Sequence, residues 1–170
     1  MARFLKDGYW YYAQMRSHRN QKIFLMDSDY GQYIKMLRKY KLRFQISVYA
    51  YCLLPTASYL VIYPSDARKL PLFMQCLNQC YALFFNRRYN GLGKVWGDRY
   101  KSVIIHNNHD LVETVKSVEF IPVKEGYSRS PFEYPWSSCR NRILGLGGVI
   151  NCLPQREVSL SQILIYNGSS

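Results

Sequence analysis

Hydrophobic residues recur along this chain at two different periods, and the points where one period gives way to the other divide it into elements. Tyr9 to Met15 reads as a first strand, aromatic-rich and led in by Asp7-Gly8. The basic loop Arg16-Ser17-His18-Arg19-Asn20-Gln21-Lys22 follows. Tyr30, Tyr33, Ile34, Leu37 and Tyr40 then recur three and four apart, which predicts a helix with N-cap candidates in Asp27-Ser28-Asp29. Lys35, Arg38, Lys39 and Lys41 on its other face read as a solvated cationic run. From Phe44 the period switches to two, with Phe44, Ile46, Val48, Ala50 and Cys52 on one side of a second strand. Leu54-Pro55-Thr56 joins it to a third strand, Tyr59 to Tyr63.

Pro64-Ser65-Asp66 breaks that strand and caps a second helix, whose stripe is Phe73, Cys76, Leu77, Cys80, Tyr81 and Phe84. The helix runs out through Asn86-Arg87-Arg88-Tyr89-Asn90 into Gly91-Leu92-Gly93, where glycines suit unusual backbone angles. Tyr100 to Ile105 is a fourth strand, and Asp110 to Phe120 a short helix ended by Pro122. After Arg142 come a Gly-rich loop, Gly145-Leu146-Gly147-Gly148, and an apolar run from Val158 to Tyr166. Strands and helices mixed in this order predict an α+β domain. Residues 1–142 form that domain, and 143–170 are an extension of unassigned role.

Composition narrows the function. A chain of 170 residues with 48% hydrophobic content can bury the core of one domain. Its 23 Lys and Arg against 11 Asp and Glu leave a net charge of +12, which favours a polyanionic partner, nucleic acid ahead of a membrane surface. No apolar run approaches the roughly 20 residues that span a bilayer. No signal peptide leads the chain, and five cysteines without C-x-x-C spacing fit a reducing compartment. Cys76 and Cys80, four apart on one helix, read as small core residues.

Two stretches carry a resemblance. Leu53-Leu54-Pro55-Thr56 runs into Ala57-Ser58-Tyr59 and then Leu60-Val61-Ile62. Farther on stand Leu77-Asn78, Tyr81-Ala82, Phe85-Asn86-Arg87-Arg88, Gly91-Leu92-Gly93, Trp96-Gly97 and Arg99-Tyr100-Lys101. In order and spacing these resemble the REP-associated tyrosine transposases, the single-tyrosine branch of the nucleases with a His-hydrophobic-His metal site. The resemblance extends from about Met1 to Arg142 and implies a ferredoxin-like antiparallel sheet with helices packed on it. It also implies DNA as partner and a bacterial, cytoplasmic, nucleoid-associated setting. His18 departs from it, standing where the family commonly has glycine, and Asp98 replaces another glycine.

The family's chemistry is missing from this frame. Its two metal-binding histidines correspond to Ala57 and Tyr59, neither of which replaces an imidazole. Its nucleophilic tyrosine corresponds to Ser117 and the polar residue four positions on to Ile121, inside Ser117-Val118-Glu119-Phe120-Ile121-Pro122-Val123. Cleavage by that route needs a cation to polarise the phosphate and an activated aryl oxygen to attack it. The resemblance therefore implies a degenerate, catalytically inactive member with no cofactor and no metal. A rival reading keeps catalysis through Ser117 or Tyr59, or relocates the metal to His106 and His109 with Glu113 or Glu119.

What remains is a cationic surface. Arg87, Arg88, Lys94, Arg99 and Lys101 stand among Tyr89, Trp96 and Tyr100, a combination that suits phosphates and bases together. With Arg16, Arg19 and Lys22 of the first loop, these cations and Trp96 are the candidate nucleic-acid contacts, while Trp96 and Tyr100 read equally as core residues beneath exposed arginines. The reading is a DNA-binding protein that recognises a specific duplex or hairpin as a transcription regulator, as monomer or homodimer. An RNA-binding or protein-interaction module is the third alternative.

Overall fold

The computed structural model describes residues 5–154, so the run from Val158 to Tyr166 lies outside the described residues. Four strands, β1 (Trp10–Arg16), with alternating burial, β2 (Ile46–Leu54) and β3 (Ala57–Pro64), buried along most of their length, and the more exposed β4 (Lys101–Ile105), build one antiparallel sheet of order β2-β3-β1-β4. Two helices cover one face, α1 (Asp27–Phe44) and α2 (Lys69–Tyr89). They run antiparallel, since Phe44 meets Phe73 and Asp29 meets Arg88. A third, α3 (Asn108–Lys124), lies on the opposite face over β2 and β3, and a short α4 (Cys139–Ile143) follows. The α+β expectation and its ferredoxin-like strand order both hold.

Each face has its own core. Tyr11, Ala13, Met15, Leu60 and Ile62 point toward α1 and α2, where Tyr33, Leu37, Phe73, Leu77 and Tyr81 meet them. Ala57, Tyr59, Val61 and Ile105 point the other way, against Leu111, Val115 and Val118 of α3. The expected single face of β2 is corrected here. Pairing jumps from Val48–Ile62 to Ala50–Val61, so Tyr49 is an inserted bulge residue. One extra residue inverts a period of two. Ile46 and Val48 therefore join Tyr51 and Leu53 under α1 and α2, while Ala50, Cys52 and Leu54 face α3. Phe44 is not in the strand at all but ends α1.

Strand ends shift by a residue or two, with β3 starting at Ala57 and keeping Pro64, and the helix boundaries differ from expectation for local reasons. Asp29 lies inside α1, with Met26 at the N-cap, and its Oδ2 accepts from the Leu25 and Met26 amides at 2.9 and 3.0 Å. Asp66 accepts from the Arg68 amide at 2.9 Å, a turn that precedes α2. The left-handed residue ending α2 is Asn90, at φ 51°, and neither Gly91 nor Gly93 has positive φ. Pro122 lies inside α3. That helix stops two residues later at a Schellman turn, in which Tyr127 N donates to Pro122 O and Gly126 N to Val123 O around left-handed Gly126.

Lys41 is a further correction, since it is buried rather than solvated. Its Nζ donates to Val149 O at 2.6 Å and Asn151 Oδ1 at 2.9 Å, and burial lowers its pKa. Val149 is itself buried in the α1–α2 core. Asn151 N donates to Val48 O, Ser138 N to Tyr51 O and Leu53 N to Trp136 O, so these segments cover the outer edge of β2. Trp136 stacks on Tyr30 with centroids 4.7 Å apart.

Candidate nucleic-acid interface

The C-terminal end of β1 and the N-terminal ends of β3 and β4 lie together at one end of the sheet. There Arg16 pairs with Ala57 and Gln14 with both Tyr59 and Lys101. Ala57 and Tyr59 thus share the α3-side face with Gln14, Arg16 and Lys101. Ala57 is 3% and Tyr59 6% exposed, both packed in the apolar cluster under α3. Burial raises the Tyr59 phenol pKa, although the nearby Arg16 guanidinium and a hydrogen bond to Gln14 work against that shift. A buried, protonated phenol is neither ligand nor nucleophile.

Ser117 and Ile121 lie on α3 beside a groove of about 510 Å³ that α3 forms with Tyr12, Val103 and Ile105. The ionisable groups lining that groove besides Tyr12 are Asp110, Glu113 and Lys124, with no histidine to deprotonate Ser117. The four residues of the relocated-metal reading do not converge. His106 packs edge-on against Tyr9 at 5.3 Å, His109 sits 3.5 Å from Asp110, and Glu113 pairs with Lys116. Glu119 is buried on the far side of α3, where its Oε1 accepts from Ser138 Oγ at 2.6 Å and from Arg142 at 3.0 Å. Among the described residues no group of three or more His, Cys, Asp or Glu could hold a metal ion. All five cysteines are free thiols.

The basic residues converge because two loops are stitched by their backbones. His18 N donates to Val95 O at 2.8 Å and Gly97 N to Arg16 O at 2.9 Å, while Ser17 bridges Trp96. Gln21 Nε2 donates to Lys94 O and Val95 O at 3.0 and 3.2 Å. Gly97 allows the close approach at this seam, since a Cβ there would press on the Arg16 and Ser17 carbonyl oxygens at 3.3 Å. In the first loop the left-handed residues are Arg19 and Asn20, not His18. The result is a rim on which Arg16, Arg19, Lys22, Lys94, Arg99 and Lys101 are all exposed. Asn86 Nδ2 donates to Gly93 O and ties the end of α2, with exposed Arg87 and Arg88, to the same rim.

Two expected contacts change character. Trp96 is 6% exposed, its Nε1 donating to Asn78 O at 2.8 Å, so it is a core anchor and not a stacking platform. Tyr100 is buried as well. Arg88 is spent in part on the fully buried Asp29, at 3.3 Å, to which Tyr89 OH also donates at 2.7 Å. Asp29 thereby joins the start of α1 to the end of α2. Its acidic position early in α1 was visible in the sequence, but its partners 59 and 60 residues away were not.

No protein-family model and no curated protein matches this sequence. Among solved structures, the chain is similar to a REP-associated tyrosine transposase bound to a REP hairpin. That match has a TM-score of 0.67 at 19% identity and covers 94% of this chain and 98% of the other. It is also similar to a candidate transposase from Deinococcus radiodurans R1, with a TM-score of 0.48 at 14% identity over 70% of this chain and 95% of the other. The first likeness shows that the chain has the fold of the REP-associated transposase.

Proposed function

We propose that this chain is a catalytically inactive, transposase-derived DNA-binding protein that recognises a specific duplex or hairpin and regulates bacterial transcription from the cytoplasm. The observation that carries this reading is the rim at the end of the sheet, where six exposed cations on two backbone-stitched loops and the adjoining ends of β1 and β4 stand beside Arg87. Cations on such a fixed frame neutralise phosphates and fix the register of a duplex. The fold likeness to a protein bound to a REP hairpin supports the same partner class. The apolar packing of Ala57 and Tyr59 supports a role without phosphodiester cleavage.

Burial of Trp96 and Tyr100 refines the choice of substrate. Single-strand binding draws on exposed aromatic platforms, each worth about 1–3 kcal/mol per base. With both rings turned into the core, affinity falls to phosphate contacts, and structured duplex or hairpin DNA is favoured over single strands. No helix among the described residues is long and apolar enough to cross a membrane.

The test is a competition titration across a salt series with hairpin, duplex and single-stranded DNA, each in random and candidate-promoter sequence. Arg16→Ala, Arg99→Ala and Lys101→Ala each lower the slope of log K against log salt by about 1. Binding that resists random competitor supports the regulator. If every DNA competes equally and weakly, the regulator reading fails. RNA outcompeting matched DNA redirects it to an RNA partner, and metal-dependent nicking lost in Ser117→Ala restores the enzyme reading.

A further inference from the structure

α2 has an outward face that DNA binding leaves unused. From Leu70 to Asn86 the helix carries no charged residue, whereas α1 exposes Lys35, Arg38, Lys39 and Arg43. Its inward positions, Phe73, Met74, Leu77 and Tyr81, fill the core. Outward stand Leu72, 53% exposed, half-buried Cys76, exposed Gln79, and Leu83, 65% exposed. Their spacing of four, three and four residues keeps them on one line down the helix, the seam pattern of paired helices.

We propose that this line is where two copies of the chain meet, α2 against α2, antiparallel across a twofold axis. Charge selects the surface. Each copy carries +12, so association over a cationic face sets like charges together, and the uncharged stripe of α2 avoids that repulsion. Symmetry selects a second copy as the occupant and sets its arrangement. A twofold contact requires a patch that complements itself, residue i meeting j and j meeting i. The stripe reads the same from either end, leucine, four, three, four, leucine. An axis passing between Leu77 and Asn78 sets Leu72 against the partner's Leu83, and Cys76 against the partner's Gln79.

This arrangement has a consequence for the DNA, one that rests on the DNA-binding reading. α2 ends at Arg87 and Arg88, beside the basic rim. In an antiparallel pair those two ends stand about 32 Å apart at a rise of 1.5 Å per residue. That is close to one turn of duplex, about 34–36 Å, the spacing at which a twofold protein reads two half-sites. The dimer would then recognise an inverted repeat with half-site centres one turn apart.

The experiment is sedimentation velocity of the full chain over a concentration series at two salt concentrations. The wild type sediments as a dimer that tightens as salt rises, opposite to the response of DNA binding. Leu83→Glu sediments as a monomer with unchanged circular dichroism and melting, because Leu83 is exposed. The decisive variant is Leu72→Lys combined with Leu83→Glu in one chain. Antiparallel pairing sets each lysine against a glutamate and restores the dimer, whereas parallel pairing sets lysine on lysine and leaves a monomer. A monomeric wild type at every concentration, a dimer that survives Leu83→Glu, or a double variant that stays monomeric overturns the proposal. The monomeric Leu83→Glu variant separates the two readings. If it still binds a half-site, the DNA reading stands whatever becomes of the dimer, and if neither protein binds DNA that reading fails by itself.

Discussion

At the scale of single residues, burial decides what each side chain can do. Trp96 lies among cations in the sequence and reads there as either a base-stacking ring or a core residue. Its indole is instead buried and bonded to the Asn78 carbonyl, so its loss empties the core and leaves the phosphate contacts in place. Trp96→Ala is expected to cost about 3–5 kcal/mol of stability. Urea unfolding measures that cost, while the DNA salt slope of the still-folded fraction stays unchanged. Arg99→Ala gives the converse pair of outcomes, with little change in stability and a reduced slope, because the residue is exposed. Tyr59 follows the same logic. In sequence it is a polar residue at a metal position, and in the fold it is a buried phenol against α3.

At the scale of elements, the periods of two and 3.6 locate the strands and helices, and the misreadings arise where the pattern is locally ambiguous. The bulge at Tyr49 inverts the pleat of β2, and no residue type in Phe44 to Cys52 announces it, because both faces of that strand are buried. Pro122 stands inside α3, so the stop is set not by proline but by left-handed Gly126. What holds α3 against the sheet is also invisible along the chain. Glu119 is fully buried and accepts from Ser138 and from Arg142, which donates onward to Tyr49 O at the bulge. Removing one partner leaves a buried charge uncompensated. Arg142→Ala is therefore expected to cost about 3–5 kcal/mol, read as a lowered urea midpoint. A loss below about 1 kcal/mol would show that water replaces the guanidinium.

At the scale of the whole molecule, buried tyrosines set the alkaline limit of the fold. Burial pushes the phenols of Tyr12, Tyr30 and Tyr51 up to about 12 from 10.0, and those of Tyr33, Tyr81 and Tyr134 are raised as well. In the unfolded chain these groups lose their protons near their ordinary value, so above it the unfolded state binds fewer protons than the folded one. Their contribution is complete below pH 10.0 and falls as pH rises toward about 12. Denaturation midpoints that stay level across this window would contradict it. Titrating tyrosine absorbance should show these phenols ionising together with unfolding.

The sequence by itself determined the α+β class, the places of the four strands and the main helices, the absence of imidazole at residues 57 and 59, and the cationic balance. These follow from local periodicity and residue chemistry, which a linear chain carries in full. Tertiary structure decided which groups meet. Backbone hydrogen bonds between residues 16–18 and 95–97, with the Gln21 side chain donating to residues 94 and 95, gather Arg16, Arg19, Lys22, Lys94 and Arg99 onto one rim. Burial removes Trp96, Tyr100 and Lys41 from the surface, and ion-pair partners more than twenty residues away engage Asp29 and Glu119. Periodicity reports which face of an element is apolar, but only the packing of distant elements fixes what covers that face, and so whether a given charge or ring can reach a ligand.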